Sequence, residues 1–155
     1  MPLEPGISHE VEYTVGPGML ASDMGNPGVH VLGTPTVFWM VEDAAVKLIA
    51  AHLAPGQATV GAFVSLRHLA ATPPGMRVRA RATLRAVDGR RLHFAVELFD
   101  EQEKIAEAEH ERVIVDLRRF LDRVAQKQSR VPSPGSTRRL SSPEDKLREP
   151  RRPVP

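Results

Sequence analysis

Two ionisable side chains of this 155-residue sequence stand where the surrounding pattern predicts apolar ones, and the first is Glu42. On a helix, Glu42 shares a face with the apolar residues Phe38, Ala45, Val46 and Ile49. A carboxylate against apolar surface is costly unless it is paired, and burial raises its pKa toward that of a catalytic base or nucleophile. The alternative is that Glu42 flanks the apolar stripe and reaches solvent. The adjacent Asp43 differs, because Lys47 four residues later predicts an ordinary surface ion pair.

The second such side chain is His68, which lies in a segment with the two-residue period of a strand. Ala62, Val64, Leu66 and His68 fall on one side of that strand. The imidazole is therefore predicted to face the apolar side of the sheet. The alternative is a histidine that is hydrogen-bonded in the core and has no catalytic role.

A third polar side chain, Thr34, precedes the helix that carries Glu42. Since a residue before proline avoids the helical region and proline suits the first helical position, Thr34 before Pro35 is predicted to be the helix N-cap. A carboxylate, an imidazole and a hydroxyl that converge can support acyl transfer, in which one group attacks or activates water and another moves protons. Thr34 as a cap alone is the alternative, worth about 1 kcal/mol. The sequence leaves open whether the three meet within one chain or across a dimer.

The elements that must position these residues are one long helix and five strands. The helix runs from Thr34 until Pro55 and Gly56 stop it, and a loop or lid from Gly16 to Gly33 precedes it. The predicted strands are Ile7 to Val15, Ala58 to Thr72, Met76 to Val87, Arg90 to Phe99 and Ile105 to Leu117. Asp88 and Gly89 predict a tight hairpin between the third and fourth strands. A short amphipathic segment from Arg118 to Lys127 follows the last strand.

This order predicts an α+β domain, because a single crossover helix cannot build a doubly wound parallel sheet. The economical packing is a five-stranded antiparallel sheet wrapped around one long central helix, which is the hotdog arrangement. Such a sheet has an open edge that a second copy of the chain could cover.

Composition bounds the domain and its surroundings. Residues 129–155 carry seven basic and three acidic side chains and six of the fourteen prolines, so 1–127 is predicted to be the domain and 128–155 a disordered basic tail. Because residues 1–128 are mildly acidic, the pI near 9.4 does not indicate nucleic-acid binding by the domain. An acidic partner for the tail is a separate hypothesis.

The absence of cysteine excludes thiolate nucleophiles. With no apolar run long enough for a bilayer and no signal peptide, we expect a cytoplasmic protein without membrane contact.

Several motifs together resemble the fluoroacetyl-CoA thioesterase-like family of hotdog proteins. Thr34 is followed eight residues later by Glu42, and Glu42 is followed twenty-six residues later by His68 within VGAFVSLRHLAATPPGM. The similarity continues through VDGRRL at 87–92 and EHERVIVDLRRF at 109–120, and spans roughly residues 6–127. The ordered set is more specific than any one of these motifs.

The resemblance implies a catalytic trio of Thr34, Glu42 and His68, with the Gly61 backbone close to the thioester and Arg112 near the acyl-CoA site. It also implies a homodimer with two sites at the subunit interface, and metal-independent hydrolysis of acyl-CoA in which coenzyme A is part of the substrate and no cofactor takes part. From the residues alone, Gly61 could instead mark a bulge or close strand packing, and Arg112 could pair with an acid for structural reasons.

Other polar residues are predicted to be solvated rather than functional. His110 and Glu111, beside Arg112, are expected at solvated strand positions. Arg77, Arg79 and Arg81 alternate along one strand and are interpreted as a solvated basic face, with coenzyme A phosphates as the alternative ligand.

The loop before Thr34 bears on the substrate. The fluoroacetyl-specific branch is associated with aromatic residues in this segment, whereas Gly16 to Gly33 contains no Phe, Tyr or Trp. We therefore expect a small acyl-CoA of short or medium chain rather than fluoroacetyl selectivity. The alternatives are an acyl-CoA-binding protein without turnover, and a hotdog hydratase or dehydratase acting on an enoyl-CoA.

Overall fold

The structure, a computed structural model, describes residues 2–131 and consists of five strands and two α-helices. In chain order these are β1 (Ser8–Thr14), α1 (Thr34–Ala50), β2 (Gln57–His68), β3 (Arg77–Asp88), β4 (Arg91–Phe99), β5 (Lys104–Asp116) and α2 (Leu117–Ser129). A 3₁₀ turn, Ala21–Met24, lies between β1 and α1. The predicted elements are all present, each displaced by a few residues at its ends.

The strands form one antiparallel sheet in the order β1-β3-β4-β5-β2. Helix α1 contacts all five strands, so the sheet wraps around it as predicted. Strands β1 and β2 are the two edges of the sheet. The residues expected to do chemistry therefore lie on the helix, on the β2 edge and on β5 next to it.

The core lies between α1 and the inner face of the sheet. Strand β3 shows why this face forms, because Val78, Ala80, Ala82 and Leu84 are fully buried, whereas the arginines that alternate with them are exposed and Thr83 is half-buried. Each large apolar side chain that is buried in this way contributes about 1.5–3 kcal/mol. The alanines take little space, which lets the helix lie close to the sheet.

The outer face of β3 carries the arginines interpreted as a solvated basic face. Arg77 forms ion pairs with Glu101 at 3.2 Å and with Glu12 at 3.7 Å, and Arg79 pairs with Glu10 at 3.7 Å. These acidic neighbours offset the positive charge. The surroundings of Arg77 and Arg79 support the solvated interpretation.

The start of α1 differs from the prediction. Thr34 is the first helical residue, the N-cap is Gly33, and no side chain caps the helix. The Gly33 carbonyl accepts hydrogen bonds from the backbone N–H groups of Thr36 and Val37, at 3.0 and 3.1 Å. A Cβ at Gly33 would lie 3.1 Å from the backbone nitrogen of Ala21, so the 3₁₀ turn packs against a position that excludes a side chain. The prediction of Thr34 as N-cap is wrong, because its hydroxyl bonds elsewhere.

The segment 16–33, predicted to be a loop or lid, contains the 3₁₀ turn and is attached to the domain at several points. Leu20 and Leu32 form an isolated bridge, and the Leu32 N–H donates to the Thr72 carbonyl at 2.9 Å. The Thr36 hydroxyl donates to the Met19 carbonyl at 3.0 Å. Both ends of the segment are thus held against the domain.

Asp43 lies on the side of α1 that faces β1, away from β2. Lys47 pairs with it at 2.8 Å, as the spacing predicts, and the Tyr13 hydroxyl also donates to it at 2.6 Å. Burial and the Asp43 charge raise the pKa of Tyr13, so the phenol remains a donor. This contact ties β1 to α1 and gives Asp43 a structural partner that the local spacing did not show.

The chain divides after Phe120 into two units. The first holds the sheet and α1, and α2 continues from Leu121 into the second. Residues 132–155, most of the predicted tail, lie outside the described residues. Within the described residues, no helix is long and apolar enough to cross a membrane.

Candidate active site

His68 and Thr34 form the first part of the candidate site. The Thr34 hydroxyl at the start of α1 lies 2.9 Å from Nδ1 of His68 at the end of β2. Nε2 of His68 is buried and makes no hydrogen bond within residues 2–131. Since a hydroxyl can donate or accept, the contact suits either tautomer, and in both cases Nε2 is the nitrogen available for proton transfer.

Burial also determines the charge of this imidazole. Desolvation lowers the pKa of His68, and the nearby backbone of Ala70 opposes that shift. His68 is therefore neutral near pH 7. A neutral imidazole with one unpartnered nitrogen can accept a proton during a reaction.

Glu42 and Arg112 form the second part. Arg112 Nη1 on β5 lies 3.2 Å from Oε2 of Glu42 on α1. The two side chains are 6% and 46% exposed, respectively, so the arginine is buried while the carboxylate reaches the surface. Glu42 leaves the apolar stripe for solvent, as the alternative interpretation expects, and it is also held by a buried cation. Its catalytic role stays a prediction.

Arg112 is fixed on its other side by Thr59 of β2. Its Nε donates to the Thr59 hydroxyl at 2.9 Å, and its Nη2 donates to the Thr59 carbonyl at 3.0 Å. Burial lowers the pKa of the Arg112 guanidinium, and the hydrogen bond and charge of Glu42 oppose that shift. The guanidinium is a fixed cation whose Nη1 N–H points toward the Glu42 carboxylate.

Gly61 lies directly against this ion pair. A Cβ at Gly61 would stand 3.0 Å from Oε2 of Glu42 and 3.4 Å from Nη1 of Arg112. The register of β2 against β5 shifts between Gly61 and Phe63, so Gly61 also borders a bulge. The glycine marks the bulge, as one interpretation expects, and leaves room for the carboxylate. Its closeness to a thioester stays a prediction.

His110 contradicts the expectation of a solvated position. It is 1% exposed, with Nδ1 at 2.7 Å from the Phe63 carbonyl and Nε2 at 3.1 Å from Nη1 of Arg112. His110 is buried because every second residue of β5 faces inward, and His110 lies between the buried Ala108 and Arg112 in that series. That alternation was visible in the sequence and could have identified His110. Glu111 faces outward, partly exposed, and pairs with Arg91 at 2.9 Å and His93 at 3.2 Å.

The two parts of the site do not meet within one chain. Thr34 and Glu42 are eight residues apart on α1, which places their Cα atoms about 12 Å apart along the helix axis. Of the predicted site residues, the structure brings Thr34 together with His68, and Glu42 together with Gly61 and Arg112. One chain therefore presents two half-sites at separate places along β2.

The family-model comparison then decides the family. The model described as fluoroacetyl-CoA-specific thioesterase matches residues 15–118, which include all five predicted site residues. The chain belongs to this family of thioester hydrolases. Its resemblance to the family, predicted from Thr34, Glu42 and His68 and the motifs around them, is confirmed.

Individual relatives agree with this assignment. The fluoroacetyl-CoA thioesterase of Streptantibioticus cattleyicolor is 38% identical over 98 residues, covering 63% of this chain and 70% of that protein. A solved structure of a fluoroacetyl-CoA thioesterase is 30% identical, with a TM-score of 0.76, and covers 85% of this chain and all of that one. A hot-dog-like protein from Thermanaerovibrio acidaminovorans is 20% identical, with a TM-score of 0.74 over 79% of this chain and 91% of that one. The predicted hotdog fold is confirmed.

Within residues 2–131, no group of three or more His, Asp or Glu side chains is arranged to hold a metal ion. Metal-independent hydrolysis is consistent with the family.

Proposed function

We propose that this protein hydrolyses a small acyl-CoA thioester of short or medium chain to the free acid and coenzyme A, using Thr34, Glu42 and His68. The observation that carries the proposal is that a chain of a thioester hydrolase family presents two half-sites whose side chains can take part in acyl transfer. One holds a neutral imidazole with Nε2 unpartnered, and the other holds a carboxylate against a buried arginine.

In the reaction, Glu42 acts as general base or as nucleophile. As base it takes a proton from water while the water oxygen bonds to the thioester carbon. As nucleophile its own oxygen forms that bond, and water then hydrolyses the mixed anhydride. In both routes the carbon–sulfur bond breaks and Thr34 orients the carboxylate or the carbonyl. In the base route, His68 relays to the departing sulfur the proton that Glu42 took from water. In the nucleophile route, the sulfur leaves as the thiolate, and His68 takes a proton from the water that hydrolyses the anhydride and passes it to that thiolate. Both routes require Glu42 ionised and Nε2 of His68 free.

Arg112 and Gly61 support these steps from β5 and β2. Arg112 holds the carboxylate in one orientation through their ion pair at 3.2 Å. Gly61 carries no side chain, so its backbone borders the space beside Glu42 that a thioester would enter. We propose both as substrate-binding residues, and the substrate supplies the coenzyme A without any further cofactor.

We further propose a homodimer that joins the half-sites, with Glu42 of one protomer acting beside His68 of the partner subunit. Strand β2 is an edge of the sheet, and its unpaired backbone groups can pair with a second copy. Antiparallel pairing of β2 with its copy about a twofold axis near Ser65 would bring Gly61 of each protomer, beside the bulge, next to His68 of the partner subunit. Gly61 touches Glu42, so this arrangement closes the gap that one chain leaves.

The test is a panel of acyl-CoA esters with coupled detection of free thiol. Hydrolysis by the wild type and its loss in Glu42→Gln would support the proposal. Tight binding of the esters with no thiol released would favour an acyl-CoA-binding protein. A change of absorbance at a conjugated enoyl thioester, with coenzyme A still attached, would favour a hydratase or dehydratase. The panel includes fluoroacetyl-CoA, because the absence of aromatic residues from Gly16 to Gly33 predicts no selectivity for that ester over other small acyl-CoAs.

We propose residues 1–127 as the catalytic domain, with 128–155 dispensable for hydrolysis. Truncation after Lys127 is expected to leave thiol release unchanged, because all five site residues precede it. Loss of activity in the truncated protein would show that the domain extends further. The cytoplasmic location stays a prediction from the sequence.

A further inference from the structure

His110 is a buried imidazole that the proposed reaction does not use. Its Nδ1 lies 2.7 Å from the carbonyl oxygen of Phe63, and a carbonyl can only accept, so Nδ1 carries the proton. Nε2 lies 3.1 Å from Nη1 of Arg112, and a guanidinium can only donate, so Nε2 is the acceptor. The two contacts together require the neutral ring with hydrogen on Nδ1.

Arg112 has few donors that are not already engaged. Its Nε and Nη2 bond to the hydroxyl and the carbonyl of Thr59. The two hydrogens of Nη1 are then divided between Nε2 of His110 and Oε2 of Glu42, at 3.1 and 3.2 Å. The imidazole and Thr59 together therefore fix the orientation of the planar guanidinium, and its remaining Nη1 N–H meets the carboxylate.

The other side of His110 reaches the bulge in β2. Phe63, whose carbonyl accepts the Nδ1 hydrogen, adjoins the register shift that begins at Gly61, and Gly61 lies against Glu42. His110 thus connects the two features that surround the carboxylate, the bulged strand and the guanidinium. Its ring also packs against Phe94 of β4, with the ring centroids 6.2 Å apart.

We infer that His110 is a positioning residue for Glu42, and that its neutral ring acts through Arg112 to hold the carboxylate in the orientation needed for hydrolysis. The inference rests on the proposed function. A small displacement of a catalytic group can cost up to about a hundredfold in rate, which makes kcat the parameter that this residue should control.

Two near-isosteric substitutions separate the contacts. His110→Asn places an amide at the position of Nδ1, which keeps a donor for Phe63 and removes the acceptor for Arg112. His110→Gln places an amide oxygen at the position of Nε2, which keeps the acceptor and removes the donor. We expect His110→Asn to lower kcat by at least about tenfold with KM changed far less, and His110→Gln to recover most of that loss. His93→Asn is the matched control, because His93 lies on the neighbouring strand paired with Glu111 and makes no contact with Arg112 among the described residues.

A double-mutant cycle distinguishes positioning from general stability. If His110 acts through Arg112, His110→Asn should lower kcat little further in the Arg112→Met background. Equal fractional losses in both backgrounds, or equal kcat in His110→Asn and wild type, would overturn the inference. Thermal unfolding of each variant shows whether the fold is retained, and a His110→Gln protein that is folded but no more active than His110→Asn would also count against it. Absence of hydrolysis by the wild type would instead refute the proposed function, and the inference with it.

Discussion

Two variants that are each inactive should regain activity when they are mixed. Glu42→Gln removes the carboxylate charge but leaves an amide oxygen that can accept from Arg112. His68→Asn leaves a polar group near Thr34 and removes the ring nitrogen Nε2. Because acid–base groups contribute about 10²–10⁴ in rate, each homodimer should retain at most about 1% of wild-type kcat.

The size of the recovery follows from the separation of the half-sites. Glu42 and His68 do not meet within one chain, because the Glu42 position on α1 lies about 12 Å along the helix axis from Thr34, the partner of His68. In a heterodimer of the two variants, one site then receives both intact residues and the other receives neither. Random exchange makes about half of the dimers heterodimers, so an equimolar mixture should reach about one quarter of wild-type kcat per chain.

The assay is thiol release from the best acyl-CoA substrate after the two variants have been mixed and allowed to exchange subunits. Native mass spectrometry of differently tagged chains confirms that heterodimers have formed. The control is a double variant carrying both substitutions, mixed with either single variant, which should recover no activity. Activity equal to the sum of the separate variants, despite complete exchange, would show that each site is built within one chain.

Three further predictions concern single residues. Gly61→Ala should lower kcat by at least about tenfold, because the new Cβ would stand 3.0 Å from Oε2 of Glu42. Gly16→Ala is the control and should leave kcat unchanged in the same assay, because no atom lies within 4 Å of the Cβ it would add. Thr34→Val should reduce activity. Chemical denaturation should not show the loss of about 1 kcal/mol in unfolding free energy that removal of an N-cap would cause, because Thr34 does not cap the helix. Thr34→Ser should retain both the activity and the stability of the wild type. Since burial lowers the pKa of His68, activity should persist as pH drops below the ordinary value of 6.5 and should fall only as pH passes through the lowered pKa. A kcat/KM profile whose acidic limb has its midpoint at or above pH 6.5 would contradict the assignment.

The lowered pKa of His68 also makes the free energy of unfolding depend on pH. The unfolded chain binds a proton at His68 near pH 6.5, while the folded chain does so only at lower pH. The free energy of unfolding should therefore be highest above pH 6.5 and decline as pH falls from 6.5 toward the lowered pKa. Denaturation of the wild type and His68→Asn at pH 7.5 and 5.5 measures this, and the variant should lose less stability between the two.

The fold could be predicted from local patterns because each element carries its own period. The hairpin at Asp88 and Gly89, the alternation along β3 and the length of α1 all follow from neighbouring residues. The inward direction of His68 followed from the same alternation.

What could not be predicted depended on contacts between distant residues. The N-cap assignment of Thr34 was wrong because its hydroxyl bonds to His68, thirty-four residues away. The partner of Glu42, seventy residues away on β5, has no signature in the helix that carries the acid. His110 was a different error, because its place between Ala108 and Arg112 follows the alternation of β5 and could have predicted its burial.

The most direct test of the central claim is thiol release from a panel of short and medium acyl-CoA esters by the wild type and by Glu42→Gln, with Asp43→Asn as the control. Asp43 is the adjacent acid, but it pairs with Lys47 and Tyr13 on the side of α1 facing β1. We predict hydrolysis of at least one ester by the wild type and Asp43→Asn, and loss of at least about a hundredfold in Glu42→Gln. Equal rates in wild type and Glu42→Gln, or no thiol from any ester with folded wild-type protein, would contradict it.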